Sequence, residues 1–171
     1  MDFSIAYKEL VKIIGLPLID TGRVCDLIWF GFGRRIKVKD NRRGSYREVA
    51  EYALHVQCPW RLMDISKIIV GSYDKYIPNS KIEYSDEFDW DIEGANLCDE
   101  ILKKLFELHP SKLVVKSVKL DQFGELEISF SDNYVLDIMP DTSTDDEVWR
   151  IFQNGVEKKH LVATGIRISL E

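Results

Sequence analysis

Cysteine, basic charge and long apolar runs are all scarce in this chain, and each scarcity excludes something. Cys25, Cys58 and Cys98 are an odd number of thiols at no motif spacing, so they build neither a disulfide framework nor a paired-thiol redox centre. Reduced thiols in a cytoplasmic protein are the expectation. The apolar runs fall well short of the ~18 residues a membrane span needs. The opening MDFSIAYKEL carries Asp2 and Glu9 and no basic stretch before an apolar block, which argues against a signal peptide. Lys and Arg number 23 against 29 Asp and Glu, a formal net charge of -6. Phosphate contacts need a positive surface, so neither nucleic acid nor a membrane is expected as a partner.

Catalytic equipment is also missing. Gly31-Phe32-Gly33 begins like a dinucleotide loop, but Ile36 stands where the third glycine belongs, and no helix start follows to receive a pyrophosphate. GxxxxGK[ST], HExxH and CxxC are absent, and no pair among His55, His109, His160 and the cysteines has ligand spacing. No metal, no cofactor and no catalytic residue is assigned, and the chain is not expected to be an enzyme. Cys58 and His55 are the nearest approach to a nucleophile and its base. Three residues apart on one strand, they point to opposite faces and cannot be partners there.

What the chain does have is alternation. In EYALHVQCPWRL, residues 51–62, Tyr52, Leu54, Val56, Cys58, Trp60 and Leu62 share one face, and Glu51, Ala53, His55, Gln57 and Arg61 share the other. This predicts one half-buried strand, with Cys58 as a small core hydrophobe. His55, Gln57 and Arg61 either line a small ligand groove or are the wet side of the strand. Arg61 could fork onto a carboxylate or phosphate.

Around that strand, Phe3, Tyr7, Leu10 and Ile14, helped by Ala6 and Ile13, recur at helical spacing, predicting a helix over 3–14 that Gly15 and Pro17 stop. Residues 24–38 read as a hairpin, with Ile28 opposite Val38 and a Phe32-Gly33-Arg34 loop. A second hairpin sets Leu126 against Ile138 and Ile128 against Leu136, with Ser131-Asp132-Asn133 as its loop. A second helix is expected over 94–108 on Leu97, Ile101, Leu105 and Leu108, with Cys98 and Leu102 alongside, ended by His109-Pro110. Further strands are expected at 113–120, 147–152, 161–164 and 166–170. Consecutive strands with only two long helices indicate an α+β fold: a curved antiparallel sheet with both helices packed on one face. At 171 residues one domain is expected. The shared Trp60-Arg61-Leu62 and Trp149-Arg150-Ile151, each following a hairpin, raise an internal duplication.

Charge is unevenly spread. Arg34 to Arg47 is basic, and Glu83 to Glu93 is acidic without a base. Such clusters are either solvated loops or surfaces for an oppositely charged partner. In the acidic stretch, Asp86, Glu87, Asp89 and Asp91 flank Phe88 and Trp90, so charge could steer a basic partner onto aromatic anchors. Asp145, Asp146 and Glu147 form a second acidic loop.

ALHVQCPWRL at 53–62, the run FSDNYVLDIMPDTSTDDEVWRIF at 130–152 and HLVATG at 160–165 resemble a group of small, mostly uncharacterised bacterial proteins from polymorphic toxin and immunity neighbourhoods. The resemblance implies a cytoplasmic immunity protein that neutralises a cognate toxin domain by binding it, and the acidic loops make a basic toxin domain the expected partner. It brings no catalytic residues. The alternative is a small-ligand or enzymatic domain built on the His55, Gln57 and Arg61 face.

Overall fold

The computed structural model describes residues 3–39, 44–82, 88–108 and 113–171. The His109-Pro110 stop, the acids Glu83, Asp86 and Glu87 and the side chain of Phe3 lie outside the described residues.

Mixed α and β structure is observed, but the strands form two antiparallel sheets and not one curved sheet. Sheet one holds β1 (Leu18–Val24), β2 (Leu27–Lys39), β3 (Tyr46–Val56), β9 (Glu147–Gln153), β10 (Leu161–Thr164) and β11 (Ile168–Leu170), in that order. Sheet two runs β5 (Ile68–Gly71), β4 (Trp60–Met63), β8 (Val135–Ile138), β7 (Leu126–Phe130) and β6 (Val115–Leu120). The long strand expected over 51–62 is therefore two strands in different sheets. Proline cannot donate to a central ladder, and the chain changes sheet across Gln57, Cys58 and Pro59. Its neighbour changes sheet alongside: Gln57 N–H bonds Val148 O, and Met139 N–H bonds Pro59 O, both at 2.8 Å. Leu54, Val56, Cys58, Trp60 and Leu62 stay buried through the crossing, so the inward parity is continuous although the strand is not.

The expected loop at Phe32-Gly33-Arg34 is likewise absent. β2 runs straight through it, and the register slips between Phe32↔Tyr52 and Arg35↔Ala50, so that Gly33 and Arg34 lie opposite Glu51 alone. This is a β-bulge, with Gly33 at φ +91°, where an L side chain would be strained. The true hairpin is β1–β2, closed by Cys25 and Asp26 between Val24 and Leu27. The second expected hairpin forms as read, with Leu126↔Ile138 and Ile128↔Leu136. Its loop places Asp132 and Asn133 at φ 58° and 60°, the left-handed region those residue types tolerate.

Both helices are present, and each buries only part of its expected apolar stripe. α1 (Phe3–Leu10) tightens into a 3-10 turn at Val11–Ile13. It buries Ala6, Leu10 and Ile13, while Tyr7 and Ile14 are exposed. α2 (Leu97–Leu108) buries Cys98, Leu102 and Leu105, leaving Leu108 out. The helices do not share one sheet face: α1 packs beside β11, and α2 beside β1, β5 and the 3-10 turn Ser72–Tyr76. Between the sheets lies one core. Phe30 meets Trp60 edge to face at 5.3 Å, Phe32 stacks on Phe130 at 6.4 Å, and the buried Trp149 indole donates to Gly124 O at 2.8 Å. Each contact ties one sheet to the other.

Candidate protein-binding site

The acidic loop expected to bind a partner is held from behind by a residue the sequence did not single out. Arg23, near the end of β1, turns its guanidinium inward until the side chain is 8% exposed. It forks onto Asp99 (Nε to Oδ1 2.9 Å, Nη2 to Oδ2 3.1 Å) and donates to Asp91 at 3.1 Å. It also donates to the carbonyls of Trp90 (2.7 Å) and Ile92 (3.1 Å). Burial works against this charge, but the hydrogen bonds and charges of Asp99 and Asp91 outweigh it and hold the pKa above its ordinary value.

α2 supplies the other half of the clamp. Asn96, fully buried, accepts the Asp99 N–H at 2.9 Å as a helix N-cap and donates to Trp90 O at 2.9 Å. Asp99 also accepts the Gly94 N–H at 2.8 Å. The loop from Trp90 to Gly94 is thus fixed by Arg23, Asn96 and Asp99. Asn96 was legible, since Asn three residues before Asp at the head of an apolar run is a capping pattern. Arg23 was not, because its partners are more than sixty residues away.

Aromatic side chains stand on this frame. Tyr73, Tyr76 and Trp90 form an edge-to-face chain with centroids 5.4 and 5.3 Å apart. Lys75 lies 5.4 Å from the Trp90 centroid and Arg23 5.9 Å, within cation–π range. Lys75 also pairs with Asp26 at the β1–β2 turn, which depresses the Asp26 pKa. Tyr73, Val24 and Ile92 are 75%, 64% and 59% exposed, an unusual amount of apolar surface around one charged network. Asp89 caps the Asp91 N–H at 2.9 Å and is exposed, while Phe88 and Trp90 are half-buried. Asp86 and Glu87 lie outside the described residues.

The second acidic loop has its own partners. Asp145 pairs with Arg167 at 3.1 Å, Asp146 accepts from the Thr144 hydroxyl at 2.6 Å, and Glu147 pairs with Arg150. Among the described residues the two loops share no partner.

His55, Gln57 and Arg61 do not meet as a groove. His55 is in β3 with its ring edge on Phe152 at 4.9 Å, and His160 stacks on the same phenyl at 4.4 Å. Gln57 is exposed at the crossing. Arg61 is in sheet two, paired with Asp137 at 3.0 Å. Cys58 is buried, as its parity predicted, and burial pushes its thiol up to about 12. A thiol held neutral in this way is a packing group. Comparison with protein-family models, curated proteins and solved structures finds no match for the chain.

Proposed function

We propose that the chain is an immunity-type binding protein that neutralises a cognate basic toxin domain by forming a complex with it. The 88–93 loop, with Tyr73 and Tyr76 beside it, is the proposed contact surface. Asp86 and Glu87 join it by sequence adjacency, and Asp145, Asp146 and Glu147 form a second proposed contact. The observation that carries the reading is the Arg23 clamp. One buried guanidinium fixes the carbonyls of Trp90 and Ile92 and the carboxylate of Asp91, so the loop is ordered before any partner arrives. Preordering removes part of the entropic cost of association. Aromatic groups in a charged rim have the composition of binding hot spots, and acidic charge steers a basic partner. The resemblance of residues 53–62 and 130–165 to immunity-neighbourhood proteins supports the same role.

Identification of the gene immediately upstream, and co-expression with any toxin domain that it encodes, tests the reading. A complex that co-elutes and restores growth is expected, and failure to bind or protect would overturn it. Reversal of Asp89 and Glu93 to Lys should slow association by about tenfold and flatten its salt dependence. Unchanged rates would remove this loop from the interface and direct attention to the second one.

A further inference from the structure

β1 is an edge strand of sheet one, and most of its outer edge is open. Its beginning is occupied, since Leu18 N–H bonds Leu113 O at 2.8 Å. Beyond that point the register decides which backbone groups face outward. Val24 and Leu27 flank a two-residue turn and exchange hydrogen bonds, and alternation then pairs Gly22 with Trp29 and Asp20 with Gly31. Thr21 and Arg23 therefore present their N–H and C=O groups to the free side, where they meet no partner among the described residues. The opposite edge of the sheet, β11, is three residues long, the usual protection for an edge, whereas β1 has seven.

A cleft of about 590 Å³ runs along this edge. Residues from both faces of β1 and β2 line it: Arg23 and Ile28 from the inner face, Trp29 from the outer. Leu102 and Phe106 of α2 form the far wall. The Trp29 indole lies over Gly22 so closely that a Cβ there would sit 2.1 Å from the ring, leaving a flat aromatic floor next to the open backbone. Asp20 and Asp99 are neutralised by Arg35 and Arg23. Among the described residues, Glu93 and Glu107 then have no ion-pair partner, and Lys103 is the one remaining base in the lining.

We propose that the cleft between β1 and α2 takes an extended, basic segment of the partner protein as an added strand on β1. The added strand bonds Thr21 and Arg23 through its main chain, and alternate side chains enter the apolar cleft between Trp29 and Phe106. This deepens the reading of the chain as a protein-binding module and rests on it. The acidic excess of the walls sets the sign of the segment's charge.

The test uses the whole chain with a blocked alternating lysine-valine peptide and its glutamate-valine counterpart, followed by amide hydrogen exchange. Exchange at Thr21 and Arg23 should slow at least about tenfold with the basic peptide and stay unchanged with the acidic one. Thr21→Pro removes the outward N–H without touching the β1–β2 ladder and should abolish the protection read at the Arg23 amide. Thr21→Val, which loses only the hydroxyl bonded to Trp29 O, should keep it. Melting curves of both variants verify that they fold. Absence of protection by the basic peptide, or equal binding to Thr21→Pro, overturns the strand-addition proposal. The toxin-domain complex separates the two readings. If it forms equally well with Thr21→Pro, the edge is not the site and the binding role stands; if it never forms, the binding role itself fails.

Discussion

At the scale of single residues, the clearest dependence is on Arg23. Its removal leaves Asp99 and Asp91 without their shared cation and frees the carbonyls of Trp90 and Ile92. Breaking one side of a buried pair costs more than the pair is worth, because the remaining charge is stranded. Arg23→Ala should therefore lower unfolding free energy by about 3 kcal/mol, read from denaturant midpoints, and should raise amide exchange across 90–94. Arg23→Lys should restore little, since an ammonium cannot fork onto Asp99 while bonding two carbonyls. The histidines give a second test. His55 has a lowered pKa because it is half-buried, with the Arg150 charge second, and His160 is lowered for the same two reasons in the same order. The unfolded chain then takes up protons first as pH falls. The stability present above the ordinary histidine value of 6.5 is lost as pH drops from there toward the folded-state values. Urea midpoints measured between pH 7.5 and 5.5 should fall, and His55→Gln with His160→Gln should flatten that slope.

Elements carry a different lesson, and β2 states it best. The sequence marks Gly33 as a residue needing freedom, and it has that freedom at φ +91°. Whether a glycine serves a turn or a bulge depends on which strand lies opposite, and here β3 supplies an unbroken partner on both sides of it. A methyl at Gly33 would sit 3.2 Å from the Glu51 Cβ in a left-handed backbone, so Gly33→Ala should cost roughly 1–2 kcal/mol. An unchanged midpoint would mean the bulge relaxes without penalty. Each helix buries only one side of its apolar stripe for a related reason. Tyr7 and Leu108 fit the apolar spacing, but α1 and α2 present Ala6, Leu10, Cys98, Leu102 and Leu105 to the sheets. A stripe broad enough to include several faces does not say which one a neighbour will cover.

For the molecule as a whole, the two sheets share inner side chains so fully that neither has a core of its own. Phe30 on Trp60, Phe32 on Phe130 and the Trp149 bond to Gly124 all cross between them. Residues 15–18 also link β6 to β1, with Gly15 N–H to Val115 O and Val115 N–H to Leu16 O both at 2.9 Å. The sheets should therefore unfold in one transition, with far-ultraviolet circular dichroism and tryptophan fluorescence coincident in urea. Separate midpoints would show that they fold as independent units. The Trp60 and Trp149 tripeptides lie in β4 and β9, strands of different sheets, and both tryptophans are buried.

The sequence by itself determined the strand content, the inward parity from Leu54 to Leu62, the Leu126–Ile138 hairpin with its register, and the position of an acidic aromatic loop. These are local properties, set by side-chain alternation, turn chemistry and charge within a few residues of one another. Tertiary structure alone decided that Val56 and Trp60 enter different sheets and that Gly33 bulges. It also drew Arg23 across from β1 to hold the 90–94 loop, and it left the edge of β1 open beside α2. Each of these depends on which distant backbone or charge comes to lie opposite, and a period of two reads the same whether a strand continues or crosses to another sheet.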